Sequence, residues 1–153
     1  MNQLEKLHNV CQKEGIIIDH ATLRPSILGL YIHEESLPPI ISLNKIILND
    51  RLKTIDVLAE ELGHHFTTIG NYTKNAIYFR DKLYLNKIEE KALRWACKFL
   101  ISDEELEECV SNCIDTHEMA EHLDVSHEML LNRIRIYSLE KSSSVICGKE
   151  LLP

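Results

Sequence analysis

The stretch that most constrains this chain is VLAEELGHHFTTIGN, Val57 to Asn71. On a helical wheel of about 100° per residue, Ile55, Leu58, Ala59, Leu62, Phe66 and Ile69 fall on one stripe. That pattern predicts an amphipathic helix from about residue 51 to Thr68, capped by Asn49 or Asp50 and ending near Gly70, with its stripe in a core. Glu60 and His64 stack on the opposite side, while Glu61 and His65 stack at the flank of the stripe. Taken alone, the Glu60–His64 pair is equally a solvated polar face or a pair of donors.

A second helix changes the weighing. In NKIEEKALRWACKFLIS, a helix is expected from about Lys87 to Ile101. Ile88, Ala92, Leu93, Trp95, Ala96, Phe99 and Leu100 define its apolar arc; Glu89 falls inside that arc, and Glu90 and Lys91 fall outside. A carboxylate on an apolar face is costly unless it is paired or ligates a metal. A salt bridge to Arg94 or Arg80 would satisfy it. A cation shared with the first helix would also satisfy it, and would explain why Glu60 and His64 are stacked.

The chemistry of such a site is coherent. Zinc accepts imidazole nitrogen and carboxylate oxygen in tetrahedral geometry, and a catalytic zinc keeps one position for water. Glu60, His64 and Glu89 are the candidate ligands. Glu61 stands where the general base of a metallopeptidase helix stands, taking the proton of a water whose pKa the metal lowers to about 7. Two anionic ligands make the site more negative than a two-histidine set, so weaker activation and a taste for manganese or another oxygen-preferring ion are expected. Gly63 would admit a close neighbour, either substrate or a packed chain segment.

The remaining segments fit an α+β domain. A polar helix over about 2–14 ends at Gly15, and four β-like runs follow: IIID (16–19), ILGLYI (27–32), PIISL (39–43) and KIILN (45–49). They suggest a small antiparallel meander of three or four strands packed against the site helix. AIYFRDKLYLN reads as a loop with some strand character, the last third as further helices, and SSSVICGKELLP as a strand or frayed end. One domain over 1–153 is expected, with the helix and sheet in 1–50, the site helices in 51–101 and a helical part in 102–153.

A net charge of −7 opposes a general nucleic-acid or anionic-membrane binder. No apolar run approaches the roughly 18 residues of a membrane span, and the first residues lack a secretory apolar core, so the cytoplasm is the expected location. Five cysteines without a CxxC pair favour reduced thiols. Cys109, Cys113 and His117 recur at helical spacing, a pattern more often produced by packing than by metal binding.

At this point the sequence resembles the ImmA/IrrE-type metallopeptidases of prophages and mobile elements, whose site helix reads LAHELGH. Here it is LAEELGHH (58–65); GLYI (29–32), IILN (46–49), TTIGN (67–71), EEKALRWACKFLIS (89–102) and THEMAEHLDVSHEML (116–130) also match, over about residues 28–137. The resemblance implies a zincin-like fold and a zinc peptidase, with Glu89, three before Ala92, as the third ligand. It further implies a protein substrate, a helix-turn-helix transcriptional repressor of the kind that characterised relatives cleave. Two positions depart from the pattern: Glu60 replaces the first histidine, and Ser102 stands where a proline is usual.

Three other readings compete. MAEHLDVSHEMLLNRIRIY has helix-turn-helix shape, yet 116–141 holds three basic residues against five acidic ones, the wrong balance for approaching phosphates. The protein could instead hold a metal and regulate a repressor by binding alone. His65 could replace His64 as ligand, which would make Glu61 its partner rather than the base. Tyr72, Tyr78 and Tyr84 are undistinguished candidates for stabilising an oxyanion.

Overall fold

The computed structural model describes residues 1–68, 82–113 and 115–149; for 82–84 and 144–149 it describes the backbone. Helix α1 (Gln3–Glu14) opens the chain. A three-stranded sheet follows: β1 (Ile17–Ala21), β2 (Gly29–Ile32) and β3 (Ile40–Asn44). Then come α2 (Arg51–Thr67), α3 (Lys82–Leu100), α4 (Asp103–Asn112), α5 (Thr116–Leu123) and α6 (His127–Lys149). The α+β class is as expected. Among the described residues no helix is long and apolar enough to cross a membrane.

Local chemistry places the helix starts. Asn2 and Glu5 form a capping box on α1, as Ser102 and Glu105 do on α4. The Asp50 carboxylate accepts from the Lys53 N–H at 3.0 Å and starts α2. Gly15, at φ 67°, ends α1 in the left-handed conformation that favours glycine.

The sheet corrects one expectation. It is mixed rather than an antiparallel meander: the strand order is β1-β3-β2, with β1 parallel and β2 antiparallel to β3. The physical reason is burial. In β3, residues Ile41 to Asn44 are all buried, so this strand takes the centre, while the partly exposed β1 and β2 take the edges. The fourth expected strand, KIILN, is instead a short 3-10 turn over Lys45–Ile47, because the Asn44 side chain accepts from the Ile46 N–H and caps it. Asn44 also donates from Nδ2 to the carbonyls of Leu23, Arg24 and Ile27, at 3.2, 3.2 and 2.8 Å. A fully buried amide thereby shapes the loop that delivers β2.

Two helix boundaries also differ. Helix α3 begins at Lys82, so KLYLN belongs to it rather than to a loop. Helix α6 continues to Lys149 instead of giving way to a strand or frayed end after Lys141. Ser142 and Ser143 lie within that continuation and donate back to the carbonyls of Ser138 and Leu139, at 2.8 and 2.9 Å.

Helix α2 is the centre of the fold, packed on α3, β2, β3 and α1. Its crossing with α3 is close because position 63 has no side chain: a Cβ on Gly63 would overlap the backbone carbonyl of Ala92. Of the two readings of this glycine, the close neighbour is a packed chain segment. Phe66 departs from the predicted core stripe. It is 42% exposed and stacks on Trp95 at 4.7 Å, which in turn stacks on Phe99 at 5.0 Å.

Candidate metal centre

The two helices bring His64 and Glu89 together. The α2–α3 crossing at Gly63 and Ala92 sets their approach, and His64 Nε2 lies 3.3 Å from Glu89 Oε2. The surroundings of the two groups differ from the expectation drawn from the wheels. His64, placed on the polar side, is only 5% exposed, whereas the Glu89 side chain, placed in the apolar arc, is 54% exposed. Glu89 sits at the mouth of the site rather than beneath it. Arg94, one of its expected basic partners, pairs instead with Glu90 and Glu140. Arg80, the other, lies outside the described residues.

Glu60, Glu61, His64 and Glu89 line one cavity of about 410 Å³, closed on its other side by β2, from Gly29 to Tyr31. Strand β2 is an edge of the sheet. Asn44 N donates to the Leu28 carbonyl at 2.8 Å, which sets the antiparallel alternation: Leu30 and Ile32 bond into the ladder, and the backbone groups of Gly29 and Tyr31 face the open edge. A Cβ on Gly29 would come within 2.5 Å of Val57 Cγ1 and 2.7 Å of Glu61 Oε1, so a glycine is what lets the edge meet the carboxylate.

The electrostatics are those of carboxylates gathered in a half-dry cleft. Burial is the main cause raising Glu61 to about 7, with His64 opposing it most, Glu89 and Glu60 adding repulsion, and the Tyr31 backbone N–H opposing it slightly. Burial also leads in raising Glu60 to about 6, helped by Asp56 and Glu89. For His64, burial favours the neutral ring, but the Glu89 hydrogen bond and three nearby carboxylates carry its pKa above the usual imidazole value. Asp56, one turn before Glu60 and 5% exposed, is raised to about 6, again mainly by burial, with Ser126 and Lys53 opposing the rise.

These donors fit a zinc-type ion in kind and partly in position. Neighbouring corners of a tetrahedron with arms of about 2.0–2.1 Å are separated by roughly 3.3 Å, which is the spacing of His64 Nε2 and Glu89 Oε2. Glu60 shares the cavity without completing the cage: among the described residues no three His, Cys, Asp or Glu side chains converge as a metal-holding group.

The other candidates separate clearly. His65 turns away from the cavity, with Nδ1 2.8 Å from the Tyr31 hydroxyl and Nε2 3.2 Å from Glu14 Oε2. Cys109 and Cys113 approach at 3.2 Å, but His117 stacks on His127 instead of joining them. Helices α5 and α6 do form a helix-turn-helix shape around Asp124, at φ 56°. The three cations of 116–141 all meet carboxylates of this chain: Arg133 is fully buried and pairs with Asp103, Arg135 binds Glu90, and Lys141 faces Glu107. Tyr72 and Tyr78 lie outside the described residues, as does the side chain of Tyr84.

The sequence reading missed Tyr31, Gly29 and Asp56. GLYI was legible only as a short strand, and no spacing along the chain links it to α2. Asp56 did carry a signal, since it stands one turn before Glu60 on the same side of the helix.

Among known proteins, the model of a peptidase family described as the IrrE N-terminal-like domain matches residues 25–135. No curated protein and no solved structure matches the chain.

Proposed function

The chain belongs to the IrrE N-terminal-like family of zinc-dependent peptidases, and on that premise we propose that it is an active metallopeptidase whose own site residues are Glu60, Glu61, His64 and Glu89. The observation that carries the reading is the 3.3 Å approach of His64 Nε2 to Glu89 Oε2, across two helices, in the cavity that also holds Glu61.

In this reading His64, Glu89 and Glu60 hold a divalent ion, zinc or an oxygen-preferring ion such as manganese. The ion supplies Lewis-acid polarisation of the scissile carbonyl and of the attacking water. Glu61 is the general base. Burial keeps its proton affinity at about 7, so it can take the water's proton and return it to the departing amine near neutral pH. The Tyr31 N–H favours the charged form of the Glu61 carboxylate. The open edge of β2, with Gly29 closest to Glu61, gives an extended peptide a backbone to lie against.

The substrate we propose is a small helix-turn-helix repressor. The test is to incubate the purified zinc-loaded protein with such a repressor, encoded in the adjoining reading frame. Cleavage that disappears in Glu61→Gln, with metal content unchanged, supports the peptidase. Retained zinc with repressor binding but no cut would instead make the protein a silent metal-holding regulator.

A further inference from the structure

A polar chain behind the cavity has no part in the chemistry described so far. The Tyr31 hydroxyl sits 2.8 Å from His65 Nδ1, and His65 Nε2 sits 3.2 Å from Glu14 Oε2. With the phenol donating to Nδ1, the ring proton resides on Nε2 and is donated to the carboxylate, so all three groups are served by one tautomer. The chain ties the end of α1 to α2 and to the edge strand β2. Tyr31 is 4% exposed and packs edge-on against the His65 ring at 5.6 Å.

Tyr31 faces both ways. Its side chain is held by His65, and its backbone N–H points out of the sheet, on the edge of β2 that meets Glu61, where it lowers that carboxyl's pKa. Glu61 and His65 are one turn apart on α2. A single residue of β2 thus meets α2 at two consecutive turns, bonded through its side chain at one and turning its backbone N–H toward the other.

We infer that His65, with Glu14 behind it, is a positioning residue. It anchors the Tyr31 hydroxyl so that the Tyr31 backbone amide is held against Glu61, which orients the carboxylate toward the cavity. The role assigned to Glu61 rests on the peptidase reading; the anchoring does not. Position 65 then acts through Tyr31 and contributes nothing to the metal.

Amide hydrogen exchange and the ¹H–¹⁵N shift of residue 31, together with zinc affinity, test this in the full chain. Tyr31→Phe removes only the hydroxyl, and His65→Ala removes the anchor. In both, exchange at residue 31 should accelerate roughly tenfold and its amide proton should move upfield, as a lost hydrogen bond requires. The amides of Ile41 and Leu43 in the central strand should stay protected. Zinc affinity should stay within about threefold of wild type, as expected when no ligand is removed. His65→Gln, which keeps one donor and one acceptor, should restore the protection. Where cleavage is measurable, kcat should fall in Tyr31→Phe and His65→Ala while KM holds.

Unchanged exchange at residue 31 in Tyr31→Phe overturns the inference. So does a His65→Ala protein that loses zinc as completely as His64→Ala. Should His65→Ala fail to fold, Tyr31→Phe decides alone. A wild-type protein that holds no zinc and cuts no repressor would sink the peptidase reading, while the amide measurement would still judge the anchor.

Discussion

His64 and Glu89 stand on different helices, yet their Nε2 and Oε2 atoms lie 3.3 Å apart, and against the effect of burial that carboxylate, with Glu61 and Glu60, carries the ring's pKa upward. Removing either partner should therefore cost the metal. His64→Ala and Glu89→Ala are expected to bind zinc too weakly to survive dialysis, whereas His65→Ala retains it. Metal content by elemental analysis, beside circular dichroism to confirm folding, checks the triplet.

In the proposed ligand set Glu60 is a second anionic donor. Glu60→His should bind zinc more tightly and make the attacking water more acidic, because less negative charge surrounds the ion. The acidic limb of kcat/KM should then move to lower pH by about one unit. A pH–rate profile of the two proteins reads this directly, and a limb that does not move would remove Glu60 from the ligand set.

The two glycines at the site predict different failures. Gly63→Ala must push the backbone of Ala92 away, which widens the α2–α3 crossing. We expect a loss of about 2–3 kcal/mol in urea unfolding, together with loss of zinc. Gly29→Ala meets side chains only, Val57 and the Glu61 carboxylate. It should cost roughly 1 kcal/mol, keep zinc, and lower kcat by displacing the base.

Asp56 makes stability depend on pH in a stated direction. Burial holds its folded pKa at about 6, above its usual value of 3.8. Across that window the folded chain keeps a proton that the unfolded chain has released, so this carboxyl's contribution to stability is lost as pH rises and stays lost above it. Asp56→Asn should match wild type near pH 4 and exceed it at pH 7 by up to about 3 kcal/mol. Denaturant titrations at the two pH values decide; equal stability at pH 7 would show that burial does not raise this carboxyl's pKa.

Much of this protein follows from local rules. The caps at Asn2, Asp50 and Ser102 and the left-handed Gly15 mark helix ends that neighbouring residues alone specify. Periodicity placed α2 and most of α3, and stacking at one turn paired Glu60 with His64. What it could not supply was depth. His64 was read on a polar face and is buried; Glu89 was read inside an apolar arc and is half exposed, because the wheel shows angles but not which neighbours cover them. The order of the strands was hidden as well, since β3 takes the centre only when three strands compete for the most buried place. Tyr31 and His65 are the sharpest case. Nothing local joins an edge strand to a helix flank, and only the packing of α1, α2 and β2 around one imidazole makes them neighbours. The sequence by itself determined the elements and the donor types, through short-range propensity and spacing; tertiary structure decided burial, strand order and which donors meet, because those depend on long-range packing.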